Sequence, residues 1–324
     1  MDMKYDHIIV DTNNVFHANH YAFNKLTYKV KNAIVQTGGI YGSLLFFNRM
    51  REKYLKDNGS IWALFDNAKS KINNRKGIDP SYKANRKKMP KSFYRSLDYF
   101  RLILLNHTDG DYAVYETGYE ADDIAPVIVQ KIPRDKHILI VSEDMDWSRL
   151  IDWDDRVIHQ YMKKEVFTRK KFCEKYHFTP TEDKIVLYKT IRGDSVDNIP
   201  IGVRGLPSKI LYRLLDDHKD IFKVYENIKS LDYVSDLWRE KIIEAFPRLR
   251  LNYQLVSFMN LRDNCTNDYI SRCFFQPHYL KAIYESLGFN ISKIDPRVSE
   301  FFASRIKMLT PETLWKWPIV TGKQ

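Results

Sequence analysis

The acids of this chain fall at spacings that could do chemistry. Glu120 and Asp122 lie two residues apart, and Asp144 and Asp146 repeat the interval about twenty residues on. Gathered in one place, four carboxylates repel one another and resist ionising unless a cation sits among them. Each acid also has a plainer reading, as a helix cap or dipole partner near Glu120 and as a turn residue after a strand. The elements that carry these residues decide between the two readings.

Ile138 to Val141 is a four-residue apolar run that reads as a buried strand, and Asp144 and Asp146 follow its end. After Glu120 and Asp122, apolar residues recur at helical spacing through Ile124, Val127, Ile128 and Ile132, so the pair opens a helix. His7 to Asp11 and Ser60 to Asp66 read as two more strands, each ending in an aspartate, and Tyr112 to Glu116 as another. Gly38 to Tyr54 carries Ile40, Leu44, Leu45, Phe47 and Met50 at helical intervals and should be a crossover helix. Strands alternating with helices imply an α/β fold with a central, mostly parallel sheet. Such a sheet binds ligands beyond the carboxyl ends of its strands. Asp11, Asp66 and the Asp144/Asp146 pair would all arrive at that edge, and a chance gathering of turn residues does not account for three such ends beside Glu120 and Asp122.

Lys69 to Arg95 carries ten cations against the single acid Asp79, with Tyr82, Phe93 and Tyr94 interleaved. Cations suit phosphates and aromatic faces suit unpaired bases; the alternative is a solvated loop. This segment is too poor in apolar residues to pack a core alone, and its polarity implies that it stays mobile. Over all 324 residues, 52 Lys and Arg outnumber 41 Asp and Glu, a formal charge of +11 that favours a polyanionic partner. Three scattered cysteines, Cys173, Cys265 and Cys273, suit a reducing compartment and build no disulfide or zinc framework. No apolar run approaches a bilayer span and the N-terminus lacks the apolar core of a signal peptide, so a cytoplasmic location is expected.

Arg156 to Met162 reads as a further strand and Val166 to Tyr176 as a charged helix. From Pro180 the pattern turns helical. A helix over Asp183 to Ile191 leads to a loop holding Asp194 and Asp197, and Gly202, Gly205 and Pro207 allow a tight turn before a helix opening at Ser208 and Lys209. Pro207 would suit the first helical position, and a helix start beside a lysine is a ready phosphate site. Leu249 to Leu261 is apolar enough to pack back on the main body, and the tail from Leu309 to Pro318 reads as a short helix whose two tryptophans dock on the chain's own core or on a partner.

Taken together, these residues resemble the 5′ nucleases: flap endonucleases, the 5′-nuclease domain of bacterial DNA polymerase I, and phage-type ribonuclease H and 5′–3′ exonucleases. The resemblance spans Ile8 to Leu261 and is similar above all to the stand-alone phage enzymes. It rests on the run Gly193 to Pro200, on Glu120 to Asp123, on Ser142 to Trp147, and on Phe65 to Ser70 and Tyr82 to Arg86. Thr12 stands where the family has glycine, and the turn after Pro200 has an extra residue and Pro207 in place of its last glycine.

The resemblance implies a PIN-like nuclease domain over 1–180 with the arch at about 69–95. It also implies a helical domain over 181–324, with a helix-three-turn-helix-like motif at about 183–216. Asp11, Asp66, Glu120, Asp122 and Asp144 would surround one Mg2+, and Asp146, Asp194 and Asp197 a second, with Asp123 between or supporting. Hard oxygen donors suit Mg2+ or Mn2+. Lys83 and Arg86 would contact the scissile phosphate, joining Asp11 and Asp144 in catalysis. Tyr82 would stack on a base beside Lys87 and Lys88, and Gly202, Gly205, Ser208 and Lys209 would grip duplex backbone, often with a monovalent cation such as K+.

The implied activity is a Mg2+-dependent 5′–3′ exonuclease and flap endonuclease that also acts on RNA–DNA hybrids. It would remove primers and flaps in replication and repair as a monomer, in host cytoplasm if phage-encoded, with a sliding clamp or single-strand-binding protein as partner. Two rivals stand beside it: a catalytically idle DNA-binding protein of the same fold, and a PIN-type single-strand ribonuclease, against which the duplex-gripping turn speaks.

Overall fold

A computed structural model describes residues 3–30, 33–66, 74–115, 119–151, 153, 156–258 and 270–308. In chain order, β1 (Tyr5–Asp11) runs into α1 (Thr12–Ala22). A hairpin of β2 (Thr27–Val30) and β3 (Ala33–Gln36) follows, then α2 (Gly38–Tyr54), β4 (Leu55–Phe65), α3 (Asn74–Ile78), α4 (Lys91–Leu105) and β5 (Tyr112–Tyr115). Next come α5 (Ala121–Lys131), β6 (Ile138–Val141), a 3-10 helix at Met145–Leu150, β7 (Ile158–Met162), β8 (Glu165–Phe167) and α6 (Arg169–Tyr176). The chain continues through α7 (Glu182–Arg192), α8 (Ser208–Asp217), α9 (Ile221–Asn227) and α10 (Asp236–Val256), and closes with β9 (Ile270–Arg272), α11 (Pro277–Ser286), α12 (Ile291–Ile294) and α13 (Pro296–Met308).

Seven strands form one sheet in the order β8-β7-β6-β1-β4-β5-β9. The five inner strands are parallel and the two edge strands antiparallel. The chain builds outward from β1 in both directions, so β1 lies beside the point where the winding reverses, the customary place for a ligand crevice. Alternation fixes the faces. Ile8 and Val10 of β1 and Leu139 and Val141 of β6 point into a core shared with α2 and α4. Ile9, Ile138 and Ile140 point the other way, into a core shared with α5. Burial on both faces explains why these strands read as unbroken apolar runs.

A third apolar core belongs to α6 to α10, through Phe172, Ile185, Leu211, Leu214, Ile221 and Leu249. Residues 270–308, expected within the helical unit that begins at 181, do not join it. They return to the sheet: β9 pairs with β5, and Leu280, Tyr284, Leu287, Ile294 and Val298 enter the core under α2 and α4. The physical reason is the open edge of β5, whose unpaired backbone groups are satisfied by even a three-residue strand. α10 ends at Val256, and its last residues, Leu255 and Val256, pack on Val186 and Ile199; residues 259–261 of the stretch expected to pack back lie outside the described residues. The tryptophan-bearing tail lies outside the described residues, as does Cys265.

The returning segment is pinned by a buried carboxylate. Asp295, 1% exposed, accepts from Arg297 Nε and Nη2 at 3.0 Å each and lies 3.3 Å from His107 Nε2. Burial alone would raise its pKa, but hydrogen bonds from His107 and Arg297 outweigh it and hold Asp295 at about 2. Burial pushes the His107 pKa down. A carboxyl held below its unfolded value stabilises the fold above that value and loses its contribution as pH falls through the folded one. A histidine whose pKa is depressed adds a penalty on acidification below its ordinary value of about 6.5. Asp295→Ala should cost about 3 kcal/mol in urea unfolding at pH 7. The difference from wild type should hold down to about pH 4 and shrink toward pH 2; an undiminished difference at pH 2 would contradict this assignment.

Candidate active site

The carboxyl edge of the sheet gathers the acids. Asp11 ends β1 and caps α1, accepting the Asn14 N–H at 3.1 Å and the Ser142 hydroxyl at 3.0 Å. Asp66 follows β4 and accepts the Ala121 N–H at 2.8 Å, which ties that strand end to the start of α5. Glu120 is the N-cap of α5, in a reciprocal capping box with Asp123. Asp144 opens the 3-10 helix after β6 and accepts the Asp146 N–H at 2.9 Å. Asp194 and Asp197 come from the loop after α7. That loop turns through Gly193 at φ +73°, where a Cβ would stand 2.7 Å from the Pro200 backbone. The plainer cap and turn readings are therefore true of single acids. They do not explain the set, because the same residues also converge.

Two groups of carboxylate oxygens lie within 4.8 Å of one another: Glu120, Asp122 and Asp123, and separately Asp146, Asp194 and Asp197. The electrostatics divide the acids in a second way. Burial, and then the charge of Asp66, pushes Asp11 up to about 7. Burial and the neighbouring carboxylates likewise push Asp66, Asp122 and Asp144 upward. By contrast, Glu120 is held at about 2: burial opposes this, but Lys83 and Arg75 outweigh it. Asp146 is lowered by Lys189 and Arg149 against the same penalty. The first four are carboxyls crowded together with too little positive charge to hold them ionised, and such a set of hard oxygen donors fits a divalent cation of the Mg2+ or Mn2+ kind.

From Asn74 onward, where the structure describes it, the basic segment is not free as its polarity implied. Arg75, 2% exposed, reaches Asp123 with two nitrogens at 2.7 Å each and Glu120 at 3.0 Å, and also donates to the carbonyls of Leu255 and Ser257. Asp123, expected at or beside the metals, thus spends both oxygens on Arg75 and stands as a structural anchor. Tyr82, expected as a stacking platform, is 2% exposed; its hydroxyl lies 3.0 Å from Glu120 and 3.1 Å from Asp197. A ring so enclosed offers no face to a base.

Lys83 takes a left-handed backbone at φ 55°. Its N–H donates to the Asp197 carbonyl at 2.8 Å and its ammonium lies 2.7 Å from Glu120. Arg86 pairs with Asp197, and Asn85 and Asn198 exchange side-chain bonds with the carbonyls of Ser195 and Ser81. Residues 81–86 are laced to the 194–199 loop, whereas Lys87 and Lys88 stand exposed. Lys69 and Lys71 lie outside the described residues.

The turn after Pro200 differs from expectation in two details. Pro207 is the N-cap of α8 and Ser208 its first residue. Gly202 is buried, with a Cβ position 2.5 Å from both the Thr190 carbonyl and Leu249, so it serves helix packing and not a phosphate. Gly205, Ser208 and Lys209 are exposed at the helix start. Thr12, where a glycine was expected, is fully buried and donates to the Val10 carbonyl at 3.3 Å. Lys189, which sequence reasoning passed over, enters the acid set from α7, 2.7 Å from Asp146 and 2.7 Å from Asp194.

Residues 6–177 match the model of the family described as 5′–3′ exonuclease, N-terminal resolvase-like domain. A 5′–3′ exonuclease of Mycoplasmopsis pulmonis is 29% identical over 239 residues, covering 72% of this chain and 74% of that protein. DNA polymerase I of Bacillus subtilis is 27% identical over 293 residues, 87% of this chain but 31% of the polymerase. Among solved structures, the T5 5′-exonuclease with bound zinc ions superposes with a TM-score of 0.59 at 17% identity, covering 92% of this chain and 99% of that one. A complex of the bacteriophage T5 flap endonuclease with DNA and metal ions gives 0.58 at 16% identity, over 91% and 98%. These structures share the fold described above.

Removing one partner of a buried ion pair leaves an uncompensated charge, so Arg75→Ala should destabilise the protein by about 3–5 kcal/mol. Arg75→Lys should recover less than half of that, since an ammonium cannot repeat the two-pronged grip on Asp123. Denaturant unfolding reads both, and an Arg75→Ala loss under about 1 kcal/mol would show that the anchor is not where the geometry puts it.

Proposed function

The chain belongs to the 5′–3′ exonuclease family whose N-terminal resolvase-like domain its residues 6–177 match, and on that premise we propose that it is a metal-dependent 5′ nuclease. It hydrolyses phosphodiesters near 5′ ends and 5′ flap junctions. The observation that carries this reading is the convergence of Asp11, Asp66 and Asp144 from three parallel strand ends, beside Glu120 and Asp122 and next to a segment rich in cations. The family relatives named as exonucleases, and the fold neighbour named as a flap endonuclease bound to DNA and metal ions, support it.

In this reading Asp11, Asp66, Glu120, Asp122 and Asp144 hold one divalent ion, Mg2+ in the cell with Mn2+ as substitute, and Asp146, Asp194 and Asp197 the other. When bound, such a pair supplies an activated water and charge stabilisation for the departing oxygen of an in-line displacement. The chain's own part is to place the phosphate. Lys83 and Arg86 reach the acids from the arch side, paired with Glu120 and Asp197 in the free protein. They trade a carboxylate for the phosphate's oxygens and stand where negative charge grows. Lys87 and Lys88 hold the strand approaching them, and Gly205, Ser208 and Lys209, at the N-terminus of the ten-residue α8, take the backbone of the adjoining duplex. Asp123 and Tyr82 act by fixing Glu120 rather than by touching substrate.

Removal of RNA primers and flaps during replication and repair is the setting in which such an activity serves, and RNA–DNA hybrids are substrates in this reading. A sliding clamp or single-strand-binding protein is the expected partner.

Asp144→Asn should lower cleavage of a labelled 5′-flap substrate in Mg2+ by at least about a hundredfold while leaving DNA affinity, measured in EDTA, within about threefold. Equal loss of both would refute its role. Lys83→Ala should slow the single-turnover step by about 10²–10³-fold with a much smaller change in binding, and an unchanged single-turnover rate would remove Lys83 from the chemistry. EDTA should abolish wild-type cleavage; cutting that persists would overturn the metal-dependent reading.

A further inference from the structure

The two halves of the acid set are not equivalent in their counter-charges. Lys189 is 5% exposed and its ammonium lies 2.7 Å from Asp146, 2.7 Å from Asp194 and 3.7 Å from Asp144. Asp146 and Asp194 are two of the three acids that group within 4.8 Å of one another on that side. The third, Asp197, pairs with Arg86 and lies 3.7 Å from Lys83. In the other half Glu120 is held by Lys83 at 2.7 Å and Arg75 at 3.0 Å, whereas among the described residues Asp11 accepts from a backbone N–H and a hydroxyl and Asp66 from a backbone N–H.

We propose that Lys189 is a resident counter-ion occupying the place a second divalent ion would take, so that the two ions bind in order and with unequal affinity. The inference rests on the metal-dependent reading above and adds to it the residue that sets the weaker site. The first ion meets Asp11 and Asp66, whose hydrogen bonds among the described residues come from uncharged donors. The second can coordinate Asp146 and Asp194 only after the ammonium has left them. The same charge-assisted bonds that hold Asp146 ionised in the free protein therefore subtract from the affinity of the incoming ion.

The side chain has a way out. Lys189 sits on the last turn of α7, where its carbonyl accepts the Gly193 N–H, so the backbone stays fixed while four side-chain torsions are free to turn. Asp144, on the open side of the group, is 39% exposed in its side chain and already lies within reach of the ammonium. Turning toward Asp144 and solvent would clear Asp146 and Asp194 and leave the lysine beside the entering phosphate. Arg149, fully buried and 3.1 Å from Asp146, has no such route and stays.

The test is calorimetric titration of metal-free protein with Mn2+, without DNA, for wild type and Lys189→Met. Wild type should show two equivalents of unequal affinity. In Lys189→Met the weaker should tighten by about tenfold or more while the stronger stays within about threefold. The metal-free variant should also melt lower than wild type and gain more from Mn2+. A weaker equivalent that is unchanged or further weakened in the variant overturns the proposal, leaving Lys189 a structural residue.

If wild type binds a single equivalent with unimpaired flap cleavage, the ordered-pair inference fails while the nuclease reading stands. If it binds none and cleaves in EDTA, both fail. Should Lys189→Met not fold, Lys189→Gln and crystallisation of the wild-type protein with Mn2+ replace it. An anomalous peak among Asp146, Asp194 and Asp197, with the ammonium withdrawn beyond about 4 Å, supports the exchange. A peak there with Lys189 still in contact refutes it.

Discussion

Carboxylates of like charge brought together in a protein interior are a liability before they are a site, and this fold is arranged around containing that repulsion. Asp11, Asp66, Asp122 and Asp144 each have pKa values pushed up by burial and by neighbouring carboxylates. The sheet supplies the rigidity that keeps them together anyway, through parallel strands whose side chains are packed on both faces. Compensation comes from cations delivered by distant segments: Arg75 from the short helix after β4, Lys83 and Arg86 from the turn beyond it, Lys189 from α7 and Arg149 from the 3-10 helix. Each is within hydrogen-bonding distance of one or more of the acids.

That interleaving also explains why the basic segment is ordered where composition would leave it free. Tyr82 and Arg75 close the gap between α5, the 194–199 loop and the end of α10, so the helical portion and the sheet portion share one polar seam. The acids thus form a network of paired charges and not an open acidic bowl, and in the proposed reading a phosphate enters by exchanging some of those pairs, driven by its own negative charge.

Much of this was legible in the sequence. The strands ending in Asp11, Asp66 and before Asp144 announce themselves as short runs of Ile, Val, Leu and Phe, because burial on both faces removes the polar alternation that hides other strands. Helix 38–54 begins at Gly38 and ends at Tyr54 as its spacing implied. The rest depended on three-dimensional pairing that no local pattern records. Arg75 looks like one cation in a run of cations, and Lys189 like one polar residue on a helix. Ile270 to Arg272 is too short and too exposed to read as a strand, and its pairing is dictated by an edge over a hundred residues earlier. Tyr82 misled for the opposite reason: its aromatic ring amid lysines suggests a surface, while its hydroxyl has two carboxylates to satisfy.

The return of the chain through β9 makes the helical portion an insertion rather than an appendage. Both of its ends are anchored in the sheet side, by β8 on entry and by β9 on exit, so α6 to α10 hang from two stems instead of one. Such a double suspension limits how far the insertion can swing relative to the acids. It also joins the integrity of the acid-bearing edge to a stretch of sequence that carries none of its residues, because a chain ended before Ile270 would leave the border of β5 bare and ready to pair with a neighbour's.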